Sequence, residues 1–360
     1  MKHDKIVMDL ARIACTGRFR AVVHTGHTFD DEGRIIKRGE VLRETPFGRN
    51  TITLTGFNNL LSRTGTTRLA IVAGSGNATP TESDLILTAY LGKMSTRTSV
   101  TTSINNDIGS GPLFYRLTYT ATFNPGAFGV SSVNVAEAGV TFTEPTLGNI
   151  NSTTLIGAHG LLVDGGGSPT TVAVAPDEYL DIVWEYTEWL PHDATGTVSI
   201  DIDGVPTDHT YYVRPAYLGS WLSGGGWKPT TYGAASDTAQ FPDPANEQWM
   251  NAIAGGVNYQ RGSAVAAGPL GVASEGPSGA FDSSLVASSM GLATYATDSK
   301  QRGITMAWAP TRGNVGGAGI GAVTLILGHT QWQVSYDPPI EKVASKQLSL
   351  TFNLALANAT

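Results

Sequence analysis

Seven histidines, His3, His24, His27, His159, His192, His209 and His329, and 30 acidic side chains are the raw material for acid-base or metal chemistry in this chain of 360 residues. The histidines are dispersed, and none stands in a His-Glu-x-x-His arrangement. His24-x-x-His27 is the tightest pair. In a strand, residues three apart point to opposite faces, which opposes shared chelation there. The single cysteine, Cys15, excludes a thiolate zinc site within the chain and an internal disulfide. Neither Gly-x-Ser-x-Gly nor Gly-x-x-x-x-Gly-Lys-[Ser/Thr] occurs. The glycine-rich run Gly313-Asn-Val-Gly-Gly-Ala-Gly-Ile-Gly321 leads into a strand pattern, whereas a dinucleotide site needs a helix N-terminus to hold the pyrophosphate. It reads as a turn or a close backbone crossing.

Two acidic groupings have catalytic or metal-binding flavour. Asp181 and Glu185 share one face of a strand pattern, with Glu188 on the other, which sets the first two roughly 13 Å apart at ~3.3 Å per residue. Glycosidase carboxylates face each other at about 5 to 9.5 Å, so this pair is expected to be a solvated strand face. Asp201-x-Asp203-Gly204-x-x-x-Asp208 resembles a calcium loop but lacks ligands at successive odd positions and the terminal bidentate Glu. A hairpin turn at Asp203-Gly204 accounts for it without an ion. The residues therefore assign no catalytic, cofactor or metal site, and the chain is not expected to be an enzyme.

The remaining candidates are aromatic. Between about 207 and 311 the chain is rich in Gly, Ala, Ser and Pro, with Trp221, Trp227, Trp249, Tyr232 and Tyr259 scattered through it. Aromatics set among small residues suit anchors that fill pockets on a partner, and these five are the predicted interface residues. Two other readings stand beside this one: they pack a core for their own segment, or they stack on sugar rings.

The elements that must carry these residues are strands. Gly, at 43 of 360, is about 12% against a usual ~7%, and charged residues are 15% against about 25%. Short alternating runs such as Phe114-Tyr-Arg-Leu-Thr-Tyr-Thr-Ala-Thr-Phe123 and Leu180-Asp-Ile-Val-Trp-Glu-Tyr-Thr are separated by turn formers, the signature of strands with one face buried. The pattern predicts an all-β chain built as an antiparallel β-sandwich from residues 50–206 and closing strands at 312–360. Residues 207–311 are expected to form a long irregular insertion. Residues 1–49 are about one-third charged, against about 12% for the rest, and are expected to form an attachment arm. Ile6, Val7, Leu10 and Ile13 within the arm suggest a short amphipathic helix.

Lys and Arg total 23 against 30 Asp and Glu, a net charge of −7, so nucleic acid is not an expected partner. No apolar run approaches the ~18 residues of a membrane helix, so membrane insertion is not expected. The opening segment lacks an apolar stretch of signal-peptide length, which points to synthesis in a cytoplasm.

Three stretches carry a resemblance. Gly56-Phe-Asn-Asn-Leu-Leu-Ser-Arg-Thr-Gly65 places an Asn-x-Leu phrase before the Gly-Ser-Gly-x-x-x-Pro-x-x-x-Asp turn of Val72–Asp84. Ala175–Pro191 and the closing run from Trp332 through Lys342 to the strand beginning at Gln347 follow. Together they resemble virion structural proteins of tailed bacteriophages, of the tail or tail-fibre type. The resemblance covers about 50–200 and 320–357. It implies a structural protein made in the host cytoplasm and built into the virion as a homo-oligomer beside other virion proteins, with no active-site residue carried over. A tail or neck-proximal fibre component is the leading expectation. A capsid decoration or head-fibre protein and a glycan-binding or glycan-degrading tail protein are the alternatives.

Overall fold

The computed structural model describes residues 6–26, 28–29, 35–37, 39–62, 69–105, 111–141, 147–191, 194–202, 205–218, 264–266, 289–310, 320–327, 330–342 and 347–359. Among the described residues strands dominate, with one α-helix and one short 3-10 turn, so the fold is all-β. In chain order the strands open with β1 (Ile6–His24), β2 (Thr28–Phe29), β3 (Ile35–Lys37), β4 (Val41–Glu44) and β5 (Gly48–Ile52), followed by helix α1 (Leu54–Ser62). The next group is β6 (Ala70–Gly74), β7 (Tyr90–Lys93), β8 (Thr96–Asn105), β9 (Phe114–Phe123), β10 (Val133–Val135), β11 (Glu137–Thr141), β12 (Ala158–Leu161) and β13 (Val172–Val174). Then come β14 (Tyr179–Trp189), β15 (Ala194–Ile202), β16 (Val205–Leu218), β17 (Ala264–Ala266), β18 (Ser289–Leu292) and β19 (Gln301–Trp308). The last three are β20 (Ile320–Leu327), β21 (Thr330–Ile340) and β22 (Leu348–Asn358).

β1 organises a branched sheet of 13 strands. Its first half pairs in parallel with β22, from Ile6↔Leu350 to Cys15↔Asn358, while its second half pairs antiparallel with β14, β5 and β4. From β14 the sheet continues through β9 to β8; from β5 it runs through β12, β11 and β6 to β7; from β22 it reaches β19 and β18. A second sheet, of five strands, has the order β15-β16-β21-β20-β17. Among the described residues every ladder is antiparallel except β1–β22. One continuous apolar cluster draws on both sheets, with Trp184, Trp308 and Trp332 each fully buried.

Two expectations change here. Residues 6–24 are a central strand, not an arm. The apparent helical spacing at Ile6, Leu10 and Ile13 comes from a β-bulge: the register with β22 shifts between Asp9 and Ala11, so that Leu10 and Ala11 are both buried and the alternation changes phase. Before the bulge the even residues Met8 and Leu10 face the core; after it the odd residues Ile13, Cys15 and Phe19 do. The insertion is also more regular at its ends than its composition predicts, because β16 extends to Leu218 and β18 and β19 return the chain to the large sheet at Ser289–Leu292 and Gln301–Trp308. The closing strands divide between the sheets, β21 beside β16 with β20 on its other side, and β22 beside β1.

α1 begins at an N-cap. The Thr53 hydroxyl accepts from the Gly56 amide at 3.1 Å and donates to the Ile156 carbonyl at 2.7 Å, which satisfies one orphan helix donor and ties the helix to the strand region before β12.

Candidate functional site

A buried polar group sits where β11 and β12 pair. Gly139 lies opposite His159, so Glu137 and His159 are diagonal neighbours on one face of the sheet. Across that face runs the segment 75–89, which connects β6 to β7 as a strap. His159 Nε2 lies 2.9 Å from Glu137 Oε2, and its Nδ1 lies 2.6 Å from Asp84 Oδ2 on the strap. The imidazole is fully enclosed, as is the Glu137 side chain, while Asp84 keeps 23% of its side chain exposed.

Glu137 is also the anchor for strap amides. Its Oε1 accepts from Gly76 N at 3.1 Å and Ala89 N at 2.8 Å, and its Oε2 accepts from Thr88 N at 3.2 Å. Asp84 closes its own turn, accepting from Thr81 N at 2.9 Å and from the Thr81 hydroxyl at 2.6 Å. The glycines of the Gly74-Ser-Gly76 phrase follow from the close approach of this carboxylate. A Cβ on Gly74 would lie 2.4 Å from Glu137 Oε1, and one on Gly76 would lie 2.6 Å from the same atom.

The electrostatics follow the geometry. Burial by itself disfavours both the imidazolium and the carboxylates. Hydrogen bonds and opposite charge from Glu137 and Asp84 outweigh it for His159 and raise its pKa above the usual 6.5. For Glu137 burial is outweighed by the bonds from His159, Ala89 N and Thr88 N, and for Asp84 by those from Thr81 and His159. Both carboxyls therefore fall below the ordinary carboxylate range. With a carboxylate at each ring nitrogen, the protonated form of His159 donates from both and then has no lone pair left to accept a proton or bind a metal. The arrangement is a clamp that fastens the strap.

The strap is tied at further points. Leu54 N donates to Glu82 O at 2.7 Å and Ile156 N to Leu85 O at 2.9 Å. The Glu82 carboxylate pairs with Lys300 and accepts from Asn358 Nδ2 at 2.8 Å, joining the strap to the loop before β19 and to β22. Neither Glu137 nor His159 stands out by motif, since they are 22 residues apart in different strands. The signal present is a lone charged residue in each of two otherwise small and apolar runs, Val135-Ala-Glu-Ala-Gly-Val and Gly157-Ala-His-Gly-Leu-Leu.

The β14 carboxylates are placed as the alternation predicts, Asp181 and Glu185 on one face and Glu188 on the other, but they are not a solvated row. Asp181 and Glu185 are 9% and 8% exposed. Cross-strand partners cover them: Arg18 Nε and Arg116 Nε lie 2.6 and 3.4 Å from Glu185 Oε1, while Asp181 accepts from the Thr122 hydroxyl and lies 3.4 Å from His24 Nε2. Glu188 faces the core beside Cys15, its register partner, and Tyr186, whose hydroxyl is 3.3 Å from Cys15 Sγ. Burial, with the Glu188 charge adding to it, pushes the Cys15 thiol far above its ordinary value, so this thiol is inert.

β15 and β16 pair outward from Ile202↔Val205, as a two-residue hairpin requires; Asp203 and Gly204 lie outside the described residues. So do all five predicted interface aromatics, Trp221, Trp227, Trp249, Tyr232 and Tyr259, and the Gly313 run to residue 319. Among the described residues no group of three or more His, Cys, Asp or Glu is arranged to hold a metal ion, and no helix is long and apolar enough to cross a membrane. No protein-family model matches the chain, and comparison with curated proteins and with solved structures likewise finds no match.

Proposed function

We propose that the chain is a structural virion protein of a tailed bacteriophage, a tail or neck-proximal fibre component that assembles as a symmetric oligomer. One observation carries the reading: the residues of the phage-like phrases do scaffolding work. The helix of the first phrase is capped against the region before β12, and the Gly-Ser-Gly-x-x-x-Pro-x-x-x-Asp segment is the strap that the buried Glu137, His159 and Asp84 clamp to the sheet. A histidine bonded to a carboxylate at each ring nitrogen is placed to hold a shape, which supports a scaffolding role.

The test is the composition of purified particles. Quantitative mass spectrometry of virions purified through a density gradient should find the chain at a fixed, symmetry-compatible copy number. Alanine at Trp221 or Trp249 should lower its incorporation, with a hot-spot cost of about 2 kcal/mol or more where the ring is buried in an interface. Particles complete without the chain would overturn the proposal, and release of reducing ends from host polysaccharide by the purified chain would replace it with a glycan-degrading function.

A further inference from the structure

Past the bulge, the residues of β1 that turn outward are the even ones, and they include Arg18 and Arg20. Arg49 on β5 lies directly opposite Arg18, and Arg116 on β9 reaches the same face across β14. Aromatic rings back the guanidinium groups: Arg18 and Arg20 lie 4.5 and 5.1 Å from the centroid of Phe47, and Arg116 lies 4.7 Å from that of Phe114. Among the described residues, the ion pairs of these four arginines all go to Glu185. Like charges directly opposite on paired strands cost stability, and two guanidinium groups sharing one ring add to that cost. Glu185, and Asp181 and Glu44, both opposite Val22, lie on the same face, so four cations meet three carboxylates and the face keeps a net positive charge in a chain of net charge −7, which suits an external anionic surface.

The five-stranded sheet carries the complement. On β16 the side chains of His209, Tyr211 and Val213 point inward, so Asp208, Thr210 and Tyr212 point outward, and Asp337 on β21 lies opposite Thr210. Asp208 and Asp337 are exposed, and Tyr212 is 48% exposed. Carboxylates beside an exposed tyrosine supply both the charge and the ring face that guanidinium groups take.

We infer that the arginine face of the large sheet, Arg18, Arg20, Arg49 and Arg116, docks on the Asp208, Tyr212 and Asp337 face of the five-stranded sheet in a second copy of this chain. The second copy is favoured because both complementary faces belong to one molecule, so each copy carries the surface that the other needs. The two faces lie on different sheets, so the contact is head to tail and propagates into a ring or filament. This inference rests on the proposed reading of the chain as an assembly protein, and it names the surface that does the assembling.

The experiment is sedimentation velocity of the purified chain across a salt series, with two pairs of charge reversals. Arg20→Glu with Arg49→Glu leaves the Glu185 pairs intact, and Asp208→Lys with Asp337→Lys reverses the other side. Wild type should associate at 50 mM salt and dissociate toward 0.5 M, where the Debye length falls below about 5 Å. Each pair of reversals should weaken association at least about tenfold, since it sets like charges against each other. The chain carrying all four should regain it, which also shows that the reversals leave the fold intact. A monomeric wild type at every salt would overturn both this inference and the oligomeric reading. Reversal variants that associate like wild type would overturn the inference alone. Binding of single-stranded oligothymidylate by a monomeric wild type, lost in Arg20→Glu with Arg49→Glu, would also overturn it and make nucleic acid the occupant.

Discussion

Replacing His159 by Leu removes the cation that fastens the strap. The cost falls mainly on Glu137, whose side chain is wholly buried, because Asp84 keeps a quarter of its surface in water and turns outward to it. Breaking a buried ion pair by deleting one partner typically costs 3–5 kcal/mol. Glu137 retains three backbone N–H donors, from Gly76, Thr88 and Ala89, so the low end applies, about 3 kcal/mol at pH 7. The sign of the pH dependence is set by the shifts. His159 has a raised folded pKa, so its contribution is complete below about 6.5 and is lost as pH rises through the folded value. Glu137 and Asp84 have lowered folded values, so theirs is complete above the ordinary carboxylate range and is lost as pH falls through those values. The clamp is therefore strongest between roughly pH 4.5 and 6.5. In the Leu variant the orphaned Glu137 is stabilised by taking up a proton, so the difference from wild type should shrink as pH falls toward 4. Urea unfolding followed by tryptophan fluorescence measures the difference through the midpoint at constant slope. Hydrogen exchange at the Thr88 and Ala89 amides localises it. A loss below about 0.5 kcal/mol, the ordinary range of a surface substitution, would refute the clamp.

Gly76→Ala should loosen the same strap without touching its charges, because the new Cβ would lie 2.5 Å from Thr88 Cβ as well as against Glu137 Oε1; a loss of about 1–3 kcal/mol is expected in the same urea assay. Deleting residues 1–24 should abolish cooperative melting by calorimetry, since β1 is the shared partner of β14, β22, β5 and β4; a deletion variant that still melted cooperatively would restore the arm reading. Arg18→Ala should cost no more than about 1 kcal/mol, and less at high salt, because that side chain is 44% exposed and Arg116 keeps its contact with Glu185. Cys15 should react with a thiol reagent only on global unfolding, with a rate that follows denaturant; fast labelling of the native chain would contradict its burial.

Composition and local alternation were enough to establish the fold class and many strands, because burying one face of a strand writes itself as period two within a few residues. Phe114–Phe123, Tyr179–Trp189 and the Ile202↔Val205 hairpin were legible in this way. β1 was misread at its start because a bulge shifts the phase between Asp9 and Ala11, and one extra residue turns a period of two into an apparent helical spacing. Its charge density suggested an arm because outward arginines look the same in a sequence whether their strand lies in the middle of a sheet or outside it. Which strands pair was decided only by tertiary structure. β22 joins β1 in parallel from the far end of the chain, and neither strand's own pattern encodes the other. The same holds for the clamp: Glu137, His159 and Asp84 come from β11, β12 and the strap, and only the β11–β12 register and the path of the strap bring three isolated charges within hydrogen-bonding distance. Local alternation was enough to make the cleanly patterned segments, Phe114–Phe123 and Tyr179–Trp189 among them, strands with one apolar face buried. The pairing of distant strands, and with it every polar contact between them, depended on burying all those faces at once in one core.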